Sequence, residues 1–114
     1  MNKKDVDLTE QKCKPCSGNT PQLGGEELQD YYSRLSEGWD LVDNHHLRKS
    51  YDFENFKQAL DFTNKIGEMS EEEGHHPDIE LTWGEVTVTV YTHAIDGLSD
   101  NDFIWASKAD ELYE

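Results

Sequence analysis

The sequence predicts an α+β two-layer sandwich in which three helices pack on one face of a four-stranded antiparallel sheet. Three observations carry that expectation. Apolar residues recur at helical spacing in two stretches, and a capping pattern opens a third helix near the C-terminus. Two pairs of short alternating runs are each joined by a turn signal, so the strands arrive as hairpins. The elements follow in the order α-β-β-α-β-β-α, which fits a four-stranded antiparallel sheet with helices packed against one face. A chain of 114 residues builds one such core.

Taken in order, residues 1–20 are polar and punctuated by Lys14-Pro15, Ser17-Gly18-Asn19 and Thr20-Pro21. They read as a flexible tail before a domain spanning residues 21–114. Leu28, Tyr31, Tyr32 and Leu35 mark one helix face, and Gly38 is placed to stop that helix. Residues 39–42 and 46–51 form a hairpin about Asp43-Asn44. A second helix is expected to start at an Asp52 cap, with Tyr51 and Phe56 as its hydrophobic staple. Its apolar stripe is Phe56, Ala59, Leu60, Thr63 and Ile66, and Gly74 ends it. Ile79, Leu81 and Trp83 then alternate up to Gly84-Glu85, after which Val86, Val88 and Val90 alternate. Gly84 suits the first central position of a type II′ turn. The last helix opens at Ser99, with Asp102 as capping-box acid and Leu98 and Phe103 as staple.

Charge narrows the function. Ten Lys and Arg stand against 25 Asp and Glu, a formal charge of -15. Such a field repels nucleic-acid phosphate and anionic lipid, so neither is an expected partner. No stretch approaches the ~18 apolar residues of a membrane span, and residues 1–20 lack a signal-peptide core. The expected location is cytoplasmic. Cys13 and Cys16 are the only cysteines, and a structural zinc site wants four ligands. They read as solvated thiols, with a redox role or a metal shared between subunits as alternatives.

The chemistry gathers around three histidines. A turn at Gly84-Glu85 pairs Trp83 with Val86, Leu81 with Val88 and Ile79 with Val90. A slip of one residue would mix the two faces, which burial forbids. Continued outward, this register sets Pro77 opposite Thr92 and His76 opposite His93, with Cβ atoms roughly 4.5–5.5 Å apart. His75 enters from the helix-to-strand turn, one helical turn after Glu71. Imidazoles titrate near neutrality, so one can donate a proton while another accepts one. Three His and a Glu are also ligand types for zinc or iron, although adjacent histidines are poorly arranged to share one ion. His45-His46 reads as a solvated pair in the other hairpin.

At these residues the sequence resembles the pterin-4a-carbinolamine dehydratase family. The pattern runs from Glu71 through His75-His76-Pro77, Trp83 and His93 to Asp102 at permitted spacings. Gly38-Trp39 and the element order extend the likeness over residues 21–114. Gly74 stands where some members carry an acid. The resemblance implies an enzyme that eliminates water from 4a-hydroxytetrahydropterin, without metal or organic cofactor, and so serves aromatic amino acid hydroxylases. It implies that His75, His76 and His93 are catalytic, and that Glu71, Pro77, Trp83 and Asp102 bind or orient substrate. Bland roles stand beside these: Asp102 as a helix cap, Trp83 as core. It also implies a homodimer or homotetramer. Two rivals are a related protein of molybdopterin enzyme assembly and a non-enzymatic dimerisation module.

Overall fold

The computed structural model describes residues 8–14 and 18–113. Among these, Val86, Val88 and Val90 are wholly buried along one face of β4 (Glu85–Val90). Each such side chain contributes about 1.5–3 kcal/mol by leaving water, which makes β4 the natural centre of the sheet. β2 (His46–Asp52) flanks it on one side and β3 (Asp78–Leu81) on the other, with β1 (Asp40–Val42) beyond β2. All pairings are antiparallel. α1 (Gly25–Ser33), α2 (Phe56–Glu73) and α3 (Asp100–Leu112) complete the expected order. Leu28, Phe62, Ile66, Phe103 and Ile104 from the three helices join the valines, Leu47 and Tyr51 in one core.

The β1–β2 turn follows its sequence signal. Asp43 and Asn44 both have positive φ (53° and 55°), and His45 N–H donates to the Val42 carbonyl at 2.8 Å. That is a type I′ turn, whose left-handed positions Asp and Asn tolerate best among residues with side chains.

Three local expectations are corrected. α1 ends at Ser33, and Gly38 (φ 102°) instead shapes the entry to β1. α2 is capped by Asn55, whose side chain accepts from Gln58 N–H at 2.9 Å, rather than by Asp52. Asp52 is still paired with Glu85 in the sheet, and Phe53 N–H reaches the Gly84 carbonyl, so no helix can begin earlier. The buried stripe of α2 keeps Ala59 and Ile66 but adds Phe62 and Met69, leaving Phe56 and Leu60 exposed. Phe62 lies 4.7 Å from the Tyr51 ring and 5.1 Å from that of Phe53.

The β3–β4 register also differs. Ile79 pairs with Val88 and Leu81 with Val86, while Thr82 N–H bonds the Glu85 carbonyl, so Trp83 and Gly84 form the turn. Gly84 serves a close approach, since a Cβ there would meet the Phe53 carbonyl oxygen at 3.0 Å. Its φ is not positive, so the type II′ assignment fails. Trp83 projects from the turn tip, 68% exposed, rather than lying in the core.

The start of the segment read as a tail has contacts. A short 3-10 helix, Leu8–Glu10, packs on α3, with Leu8 buried. Cys16 lies outside the described residues.

Candidate active site

His75 is delivered by the end of α2. Gly74 adopts the left-handed conformation (φ 65°, ψ 28°). Gly74 N–H then returns to the Glu71 carbonyl and His75 N–H to the Ser70 carbonyl at 3.1 Å. This Schellman closure folds His75 back beneath the helix end. The side chain is 6% exposed, and its Nε2 meets Asp102 Oδ1 at 2.6 Å. A carboxylate only accepts, so Nε2 carries the proton in this bond.

Asp102 comes from the first turn of α3 and is fully buried. Its Oδ2 accepts Ser99 N–H at 2.9 Å, the capping-box bond, and the Thr92 hydroxyl at 2.8 Å. Thr92 Oγ1 is also 2.7 Å from Ser99 Oγ. Because the single Thr92 proton goes to Asp102, Ser99 donates to Thr92. One oxygen of Asp102 therefore caps a helix, and the other holds an imidazole.

His76, the next residue, faces solvent. Its Nε2 bonds Glu71 Oε2, and both side chains are mostly exposed. Pro77, half-buried, leads directly into β3. Thus Glu71, His75, His76 and Asp102 come together where α2 ends and α3 begins.

His93 is placed differently. β3 begins only at Asp78 and β4 ends at Val90, so no ladder sets His76 against His93. The expected opposition is overturned by the shorter strands and the different turn. His93 instead opens a 3-10 turn, His93–Ile95, closed by Asp96 at φ 48° and by a bridge between Thr92 and Gly97. Thr92 points inward to Asp102 while exposed His93 stacks on Tyr91, with ring centroids 4.3 Å apart. Trp83 stands at the opposite end of β3 from His76.

Sequence reasoning missed two features. Thr92 ties the His93 turn to Asp102, and its only signal was adjacency to a histidine of opposite facing. His45, expected to be solvated, also packs against Tyr91, with ring centroids 4.6 Å apart, and bonds Asp96 Oδ1 through Nε2 at 2.7 Å. No local pattern could announce that contact, which joins residues 51 positions apart.

A buried imidazole held by a buried carboxylate, beside an exposed imidazole held by an exposed one, suits proton transfer between a sheltered group and solvent. The comparisons bear on the same segment. The family model described as Pterin 4 alpha carbinolamine dehydratase matches residues 21–112. The chain belongs to the pterin-4a-carbinolamine dehydratase family. A relative from Alkaliphilus metalliredigens, named "Putative pterin-4-alpha-carbinolamine dehydratase", is 51% identical over 91% of this chain and 94% of its own. One of the same name from Rubrobacter xylanophilus is 52% identical over 93% and 98%. Among solved structures, a transcriptional coactivator/pterin dehydratase from Brucella melitensis aligns with TM-score 0.76 and 26% identity, covering 82% of this chain and all of that one. A pterin dehydratase-like protein, described as a RuBisCO assembly factor in the alpha-carboxysome, aligns at 0.59 and 25%, covering 68% and 90%. No helix among the described residues is long and apolar enough to cross a membrane.

Proposed function

We propose that this protein eliminates water from a 4a-hydroxytetrahydropterin, giving the quinonoid dihydropterin and returning the cofactor of an aromatic amino acid hydroxylase to its cycle. The observation that carries this reading is the pairing of His75 with Asp102 and His76 with Glu71 within the family-matched segment. The elimination needs an acid to protonate the departing 4a-oxygen and a group to accept the N5 proton. His75 and His76 supply two imidazoles of unlike exposure for those tasks, and His93 a third on the adjoining turn. Glu71 and Asp102 orient the rings, and Pro77 turns the chain from the histidines into β3. Trp83 stands apart from this group, so a substrate contact for it has the least support. As the C4a–O bond breaks and water leaves, the protein need supply only proton transfer, with neither metal nor organic cofactor. Their separate carboxylate partners also suit His75 and His76 poorly to one shared ion.

The same reading places the protein in the cytoplasm as a homodimer or homotetramer. The assembly-factor relative of this fold keeps a binding role in view, and catalysis separates the two. The test generates the 4a-hydroxypterin in place with a phenylalanine hydroxylase and follows its absorbance. Purified protein should speed the decay above the spontaneous rate; decay at the spontaneous rate would leave the binding role.

A further inference from the structure

The buried His75–Asp102 bond joins two chain positions, and the same N-terminal segment grips a near neighbour of each. Asn101, next to Asp102, is buried, and its carboxamide meets the Lys14 backbone twice. Lys14 N–H donates to Oδ1 at 2.9 Å, and Nδ2 donates to the Lys14 carbonyl at 2.7 Å. The Cys13 thiol donates to the Asn101 carbonyl at 3.5 Å. Glu73, two residues before His75, accepts Cys13 N–H on Oε1 at 2.9 Å and Lys108 Nζ on Oε2 at 2.8 Å. Leu8 anchors the other end of the segment against α3. Residues 8–14 therefore bridge the end of α2 and the start of α3, the two elements whose junction carries the pair.

We propose that residues 8–14 are a strap that positions the His75–Asp102 pair by fixing Glu73 and Asn101 to one stretch of backbone. Its effect on turnover rests on the dehydratase reading; its effect on the pair does not. A 2.6 Å bond between side chains on separate elements survives only while those elements keep their spacing. The far end of α3 is fixed independently, because Asp110 accepts from Trp39, Lys49 and Tyr51. At the near end, Trp105 Nε1–H donates to Ser70 Oγ at 3.0 Å and Lys108 reaches Glu73, and the strap adds ties to the residues flanking the pair. The contacts to Lys14 are made by backbone atoms, which explains how so polar a sequence can hold a defined place.

The test uses two variants of the full chain, deletion of residues 1–14 and Asn101→Ala, the second keeping a good helix former in α3. The His75 Nε2–H proton is followed by NMR, alongside kcat and KM. The expected result is retained far-UV circular dichroism with faster exchange of the ring proton in both variants. Displacing a catalytic group by about 1 Å can cost up to ~10²-fold in rate, so kcat should fall roughly 10- to 10²-fold while KM changes little. A ring proton that exchanges as in the wild type would overturn the proposal, even if kcat falls; unchanged kcat as well would make residues 1–14 a dispensable tail. Should the truncated chain fail to fold, Asn101→Ala decides on the same readouts. A wild type without dehydratase activity would defeat the functional reading, and ring-proton exchange would then decide the strap alone.

Discussion

Asp102 serves helix and site at once, with Oδ2 on the Ser99 cap and Oδ1 on His75. Local spacing announces the first role, because a capping box is complete within four residues. The second joins residues 27 apart and leaves no local trace. The same geometry separates two neighbouring histidines. His75→Ala removes the partner of a buried carboxylate oxygen and should cost about 1–3 kcal/mol. His76→Ala breaks an exposed pair, of a kind typically worth ~0–1 kcal/mol, so its stability should be near wild type. Urea unfolding of the two variants measures this, and equal midpoints would mean that the buried bond contributes nothing. The sequence places His75 at the helix-to-strand turn, and its burial against Asp102 is what the structure adds.

At the scale of elements, helices and hairpins were legible where a period and a stop signal coincided, as at Gly74 and Asp43-Asn44. Register was less so. Alternation excludes a slip by one residue but is blind to a slip by two, which keeps Ile79 and Leu81 on the valine face. The backbone approach of Phe53 to Gly84 settles that choice, and it depends on a residue 31 positions away. The strap was equally hidden, since composition does not reveal backbone contacts. Its bond to Glu73 makes a prediction about acid. Burial works against ionisation of Glu73, yet Lys108 and Cys13 N–H more than offset it, holding the carboxyl below its ordinary value of 4.5. The stability it adds is thus present above pH 4.5 and lost as pH falls through the lower folded value. Glu73→Gln should flatten the loss of stability below that pH, read from urea midpoints between neutral and acid conditions. A variant that keeps the wild-type slope would assign the acid sensitivity to other groups.

Across the whole molecule, element order and layer arrangement followed from amphipathic periods, whereas the site depends on contacts between elements that no period encodes. The end of α2, the turn after β4 and the first turn of α3 meet through Asp102. Tyr91 and Asp96 link that turn to the β1–β2 hairpin through His45. The formal charge of -15 adds a long-range field that disfavours anionic partners, in keeping with the small pterin proposed as substrate. The most direct test is the rate of 4a-hydroxypterin decay with His75→Ala, His76→Ala, His93→Ala and the His75/His76 double variant, each first shown to be folded. A single acid–base group is typically worth ~10²–10⁴-fold, less what spontaneous elimination masks. Each single variant should therefore slow sharply, and the double should lose less than the product of the two singles, as groups acting together do. Folded variants that turn over at the wild-type rate would contradict the assignment of catalysis to these histidines.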